Sequence, residues 1–165
     1  MREKQLKNLL YFTAFLCALC LAVMTFSLCV SKVERGEFTP PPFDANAVNG
    51  TPEVDASLGY GEIYREEMGF SVWLCGSVTM EGKNARLYFT NPDGNTVWLK
   101  ARIMDAEGNI LGESGILKPG SYVEHVTLAS EPCEGTNISV KIMAYRAETY
   151  HSEGAIVLNT TIRKK

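Results

Sequence analysis

The chain has 165 residues, 45% hydrophobic and 21% charged, a composition typical of a folded protein with room for one ordinary domain and unlike that of a disordered chain. From residue 36 onward, 11 basic side chains stand against 17 acidic ones, a balance of −6. Because phosphate backbones are bound through clustered Lys and Arg, this acidic part of the chain argues against nucleic-acid binding.

The first predicted element is a transmembrane helix over residues 9–30. These 22 residues contain no charge, Gly or Pro. At about 1.5 Å of rise per residue they cover the hydrocarbon core of a bilayer, which is about 30 Å thick. The apolar part of a signal peptide is usually only about 7 to 15 residues long. We therefore expect an uncleaved signal-anchor that contacts membrane lipid. Cleavage near Ser31, which would release a secreted ligand-binding module, is the alternative.

The flanks of this segment predict its orientation. Arg2, Lys4 and Lys7 precede the apolar run, and only Lys32 and Arg35 follow it closely. Since Lys and Arg favour the cytoplasmic side, residues 1–8 are predicted to be a cytoplasmic tail. The rest of the chain is then expected outside the cell membrane, which makes the protein single-pass.

A proline-rich stalk is predicted over residues 31–59. Pro40, Pro41 and Pro42 cannot continue the helix and favour a stiff, extended chain. No alternation of apolar and polar residues begins before about Tyr60. We therefore expect the folded domain to occupy residues 60–165.

That domain is predicted to be an all-β, immunoglobulin-like antiparallel β-sandwich of about seven strands. Period-two alternation predicts half-buried strands, and turn residues rich in Gly, Pro, Asn and Asp separate them. In the third strand, Leu99, Ala101 and Ile103 should face the core while Trp98, Lys100 and Arg102 face outward. The predicted strands cover residues 70–79, 85–90, 96–104, 109–114, 121–128, 137–145 and 155–162.

Two motifs carry a resemblance to a known group of proteins. The first is Asn-Pro-x-x-Asn at residues 91–95, and the second is Ser-Gly-x-x-Lys-Pro-Gly-x-Tyr at residues 114–122. With these motifs, residues 69–162 resemble small Gram-positive bacterial membrane-anchored proteins of unknown function. The resemblance implies an immunoglobulin-like domain at the bacterial cell envelope. It implies no catalytic residue, ligand or partner.

The sequence predicts no catalytic, cofactor-binding or metal site. His125 and His151 lack the context of a catalytic triad. Cys75 and Cys133 could form one extracytoplasmic disulfide, although two separate thiols are favoured. Residues 105–109 alternate acidic and amide side chains as a calcium loop does, but a hairpin turn explains the spacing better. An enzyme acting on wall polymer would need paired carboxylates or a metal cluster that the sequence does not show.

One surface is predicted to bind a partner. If the third and sixth strands are neighbours, their outward side chains combine aromatic, Met and Arg residues, which are the types enriched at protein interfaces. The competing interpretation is a sheet face covered by stalk residues such as Tyr60, Ile63 and Tyr64. The predicted function is a non-catalytic structural or interaction role with another envelope or surface protein. The predicted interaction face consists of Trp98, Lys100, Arg102, Lys141, Met143 and Tyr145.

Overall fold

The computed structural model describes residues 2–30, 38–65 and 69–164, and within these ranges it leaves out the side chains of residues 2, 26–30, 64 and 65. The chain divides into two compact units. Residues 1–39 hold the helix, and residues 40–165 hold the described β-strands.

Helix α1 extends over Arg2–Val30 and therefore begins within the predicted tail. Glu3 lies in its first turn and pairs with Lys7 one turn later, at 3.3 Å, an arrangement that suits both the helix dipole and the (i, i+4) spacing. Its Glu3–Thr25 portion is long and apolar enough to cross a membrane. The Thr25 hydroxyl donates to the Ala22 carbonyl at 2.9 Å, so this polar group is satisfied inside the helix, as lipid requires. An anchor and a signal sequence both fit this length and composition.

The described residues of the second unit form ten β-strands and one 3₁₀ turn. The turn, Ala56–Leu58, is capped by Asp55, whose carboxylate accepts from the Ser57 amide at 2.8 Å. The strands are β1 (Val48–Asn49), β2 (Tyr60–Arg65), β3 (Phe70–Cys75), β4 (Val78–Glu81), β5 (Asn84–Asn91), β6 (Val97–Met104), β7 (Ile110–Glu113), β8 (Ser121–Thr127), β9 (Asn137–Arg146) and β10 (Ser152–Lys164).

The strands form a single curled sheet in the order β1-β8-β5-β4-β10-β9-β6-β7, with β2 and β3 added beside β5. The long strand β10 makes this continuity possible. Its first part pairs antiparallel with β9, and its last residues pair parallel with β4. The sheet then curls back on itself, because the Ala129 amide, just after β8, donates to the Leu111 carbonyl of β7 at 2.8 Å.

The core lies inside this curl and is built by alternation. In β6, Leu99, Ala101 and Ile103 are fully buried while the residues between them are half-buried on the outer side. Strand β9 does the same, with its inward side chains running from Ile138 to Ala144. Each fully buried aliphatic side chain contributes about 1.5–3 kcal/mol, so this cluster supplies most of the driving force for folding.

The all-β prediction is confirmed, but its details differ. The predicted first strand is interrupted at Gly76 and Ser77, which gives β3 and β4, and β1 and β2 were not predicted. The sheet is a ten-stranded half-barrel, not an evident seven-stranded sandwich. The compact unit that contains the strands begins at Pro40. The remainder of the predicted stalk, residues 31–37, lies outside the described residues.

Candidate functional site

The predicted neighbours do lie side by side on the outer surface of the sheet. Strands β6 and β9 are antiparallel partners, and their register pairs Trp98 with Tyr145. The next outward pairs are Lys100 with Met143 and Arg102 with Lys141. We call these six residues the outer face. All six are half-buried, so they are neither core residues nor freely exposed.

Glu113 controls the charge of the outer face. This residue of β7 lies opposite Arg102, and its carboxylate accepts hydrogen bonds from Arg102 and, at 2.9 Å, from Lys100. Burial alone would raise the pKa of Glu113, but these two cationic donors lower it below its ordinary value. Two of the three cations are thus paired, whereas Lys141 forms no ion pair with the part of the chain that the structure describes.

Trp98 lies between two aromatic rings that the sequence did not place there. The ring of Phe43 meets it edge-on at 4.9 Å between centroids, and Tyr150 does so at 5.2 Å from the β9–β10 connection. The Lys118 ammonium lies 4.7 Å from the Phe43 centroid, within cation–π range. We call Phe43, Trp98 and Tyr150 the aromatic cluster. The cluster continues the outer face at the start of β6, where Trp98 lies.

The predicted cover of this surface comes from a different part of the stalk. Tyr60 and Ile63 lie on β2, which pairs with β3, and the Tyr60 ring packs on Trp73 at 5.6 Å. The Tyr64 side chain lies outside the described residues. Phe43 provides the stalk contact with Trp98 instead, and it remains 42% exposed.

The connection that carries Tyr150 has an unusual backbone. Both Glu148 and Tyr150 have positive φ, at 66° and 58°. Such values are uncommon for residues other than Gly and cost about 1–3 kcal/mol each, so they persist only where the surrounding structure holds them. Here the Tyr150 amide donates to the Arg146 carbonyl at 3.0 Å, and the Arg146 amide donates to the His151 carbonyl at 2.8 Å. The loop is thereby closed with the Tyr150 ring against Trp98.

Phe43 is held by a docked segment, residues 40–50, which we call the strap. The Ile116 amide donates to the Pro42 carbonyl at 2.9 Å, and the Asp44 amide donates to the Ile116 carbonyl at 3.0 Å. The Gly115 amide donates to the Asp44 carboxylate at 2.7 Å. Proline lacks an N–H but retains its carbonyl, so a proline-rich chain can still line a sheet.

Gly115 explains one of the two motifs. A Cβ at this position would lie 2.4 Å from the Asp44 backbone, so the strap can approach only because residue 115 is glycine. The preceding Ser114 is buried, and its hydroxyl accepts from the Ala101 amide at 2.9 Å. The Ser-Gly portion of the motif therefore fastens the strap to β6.

The Asn-Pro-x-x-Asn motif is a second fastening point. Asn91 is fully buried, and its amide nitrogen donates to the Val97 carbonyl at 2.9 Å and to the Leu117 carbonyl at 3.0 Å. Its oxygen accepts from Asn95 at 2.7 Å. Every polar atom of the Asn91 side chain is thus used to hold the turn between β5 and β6, so the motif is structural.

The other residues considered for chemistry are dispersed. Cys75 is buried and Cys133 is exposed, and both are free thiols. Asp105 accepts from the Asn109 backbone amide at 2.7 Å and from its side chain at 2.9 Å, which closes the β6–β7 hairpin and confirms the turn interpretation. Within the described residues, no three His, Cys, Asp or Glu side chains are grouped to hold a metal ion.

Comparison with known proteins adds little to this description. No protein-family model matches the chain, and no curated protein matches its sequence. Among solved structures, it is similar to the crystal structure of CopC from Methylosinus trichosporium OB3b, with a TM-score of 0.34 and 18% identity over 53% of this chain and 84% of that chain. At this TM-score and identity, the similarity supports no conclusion about what this chain binds.

Proposed function

We propose that this protein is a membrane-anchored module of the cell envelope whose β domain lies outside the cell membrane and binds another envelope protein without catalysis. The anchor is supported by the span Glu3–Thr25, which is followed by a separate β unit. The orientation is supported by Arg2, Lys4 and Lys7 before the uncharged run 9–30, against Lys32 and Arg35 after it. The proposed contacts with lipid and with a partner protein follow from this arrangement.

The aromatic cluster is the observation that carries the binding role. Tyr150 has a positive φ, a backbone conformation that a bulky residue keeps only where the surrounding structure holds it. Residues in such conformations are concentrated at functional sites. Here the result is a tryptophan framed by two rings, next to a face on which Lys141 forms no ion pair with the described residues. Trp, Tyr and Arg are enriched among binding hot spots, whose truncation to alanine costs about 2 kcal/mol or more.

An apolar row extends this surface onto β10. Ala155 lies opposite Met143, and Val157 lies opposite Lys141. Val157 is 46% exposed, which makes it one of the few large apolar side chains of the β domain that reach solvent so fully. A partner that covered Val157 and Met143 would bury apolar area at the centre of a charged rim, which is the usual anatomy of a protein interface.

The non-catalytic part of the proposal is supported by the dispersion of reactive groups. His125 and His151 are exposed. The Cys75 thiol is buried, which raises its pKa to about 11, so it stays protonated at neutral pH. A nucleophile, its base and a third orienting group would have to converge for covalent catalysis.

Site-specific photo-crosslinking in the native membrane tests the binding role. A photoreactive amino acid placed at Val157 or Lys141 should capture the same protein from both positions, because both lie on the proposed surface. The matched control is Thr127 of β8, which is exposed on a different strand and should capture nothing in common. Equal capture from Thr127, or different proteins from the two face positions, would contradict the proposal.

Mass spectrometry of the mature N-terminus tests the anchor. Retention of residues 1–30 supports the membrane-anchored form. A terminus near Ser31 would instead establish the secreted alternative, in which the same β domain is released by cleavage.

A further inference from the structure

A small cavity of about 170 Å³ lies away from the outer face, where the end of the strap meets strands β2 and β3 and the turn after β5. It shares no lining residue with the outer face or the aromatic cluster. Two aromatic side chains line it, Tyr60 and Trp73, with ring centroids 5.6 Å apart and planes inclined by 45°. The diagonal placement of these residues across the β2–β3 pair brings the rings together.

Hydrogen bonds at the cavity leave acceptor capacity. Thr90 donates its hydroxyl proton to the Tyr88 carbonyl at 3.0 Å. The 2.8 Å bond between Tyr60 and Thr90 is therefore donated by the Tyr60 hydroxyl. Both hydroxyl protons are used, and the Tyr60 oxygen keeps its lone pairs for an incoming donor.

The walls are held rigidly. The Gly120 amide donates to the Asn91 carbonyl at 2.8 Å, and the Gly50 amide donates to the Gly120 carbonyl at 2.9 Å. Gly120 has a φ of 74°, so its backbone favours glycine. These bonds connect the strap, β8 and the turn after β5 before any ligand arrives, which lowers the cost of ordering on binding.

Asp93 gives the cavity its charge. Among the described residues that line the cavity, Asp93 is the only charged one. A Cβ built on Gly120 would lie 3.8 Å from an Asp93 carboxylate oxygen, so the carboxylate faces this wall. A carboxylate combined with aromatic rings attracts a cation through both its full charge and the ring quadrupoles.

Size limits the ligand. A cavity of about 150 Å³ holds one benzene molecule, and pockets for drug-sized molecules run from about 300 Å³ upward. At about 170 Å³ this one fits a single head group. We propose that the cavity binds an ammonium group. The ammonium could belong to a free small amine of the choline type or to a lysine side chain of a protein, and the chemistry is the same in both cases.

The test is titration of the full-length protein in detergent micelles, with the two indole N–H signals of Trp73 and Trp98 followed by NMR. Choline and Nα-acetyl-lysine amide are the two probes, and 3,3-dimethylbutan-1-ol is the neutral isostere of choline. We expect at least one cation to shift the Trp73 signal saturably, while the neutral alcohol and added sodium chloride do not. The stronger binder of the two cations identifies the source.

Two variants sharpen the result. Asp93→Asn should weaken binding at least tenfold, because it removes the only full charge that the described residues place in the cavity. Glu107→Gln removes an equal charge from a different, exposed turn and should leave binding unchanged. The proposal is overturned if neither cation saturates the Trp73 signal, if the neutral alcohol acts equally, or if both variants behave alike. None of these outcomes bears on the outer face, so the two proposals can fail independently.

Discussion

Replacing Gly115 by alanine should detach the strap from the β domain while leaving the core intact. The added Cβ would lie 2.4 Å from the nitrogen and Cα of Asp44, where ordinary contacts are 3.4–4 Å. The strap must therefore retreat by about 1 Å (3.4 − 2.4 Å). The three hydrogen bonds that fasten it, now 2.7–3.0 Å long, would then exceed hydrogen-bonding distance.

The expected loss of global stability is small, whereas the expected loss of order in the strap is large. Three such bonds contribute about 0.5–1.5 kcal/mol each, and the edge-on contact of Phe43 with Trp98 contributes about 0.5–1.5 kcal/mol more. Against this, each residue released from a fixed backbone regains about 1–2 kcal/mol of conformational entropy. Residues 40–42 are prolines, which have little backbone freedom to regain, so Phe43 and Asp44 supply most of this entropy, about 2–4 kcal/mol. This nearly offsets the lost contacts, and release is therefore the easier response. We expect global stability to fall by no more than about 2 kcal/mol.

Amide hydrogen exchange on the full-length protein in micelles measures this directly. The amides of Asp44 and Ile116 should lose protection in Gly115→Ala, whereas the Leu99 amide, which donates to the Leu117 carbonyl, should keep it. Gly94→Ala is the control, because nothing lies within 4 Å of a Cβ at that position. Unchanged protection of Asp44 and Ile116 would show that the strap is not seated on Gly115.

Three further expectations concern reactivity, charge and packing. On intact cells, a membrane-impermeant maleimide should label the exposed Cys133 but not Cys75, whose buried thiol has its pKa raised to about 11. Loss of labelling in Cys133→Ser is the control. Labelling of Cys133 only after lysis would place the domain inside the cell. The pKa of Glu113 is lower in the folded state than in the unfolded state, so this residue stabilises the fold at pH values above its unfolded-state pKa. The stabilisation is lost as the pH falls through the folded-state pKa. Glu113→Gln should remove this pH dependence, which is worth about 0.5–1 kcal/mol of unfolding free energy. Urea unfolding measured over roughly pH 3 to 7 checks this, and an unchanged pH profile would contradict it. Leu99→Ala should cost about 2–5 kcal/mol in the same assay and Val157→Ala under about 0.5 kcal/mol, and equal losses would refute the assigned faces of the sheet.

The sequence predicted what depends on side-chain alternation. Leu99, Ala101 and Ile103 face the core, and Trp98 lies beside Tyr145, because a period of two fixes which side of a strand each residue occupies. The hairpin turn at residues 105–109 was predictable for a related reason, since an aspartate can accept from backbone amides two and four residues onward.

The contacts of the strap were not predictable in that way. Strand β1 has only two residues, and apart from the Asp44 carboxylate the strap is attached through backbone carbonyls and amides, which leave no pattern in the side chains. Three consecutive prolines indicated a free stalk, although their carbonyls remain able to accept. The pairing of Glu113 with Lys100 and Arg102 also depends on the register of β7, which shifts between Ile103 and Met104.

The strap connects the two candidate sites through one stretch of backbone. Its Phe43 meets Trp98, its residues Val48 and Asn49 pair with β8, and its Gly50 lines the cavity that contains Asp93. Because backbone hydrogen bonds fasten all three points, a displacement beginning at Asp44 can reach both sites, whereas a change at Asp93 need not reach Trp98. Gly115→Ala should therefore shift both indole signals, and Asp93→Asn only that of Trp73. This asymmetry follows because the strap is a single covalent segment. If residues 40–44 and Gly50 were held independently, Gly115→Ala would not shift the Trp73 signal.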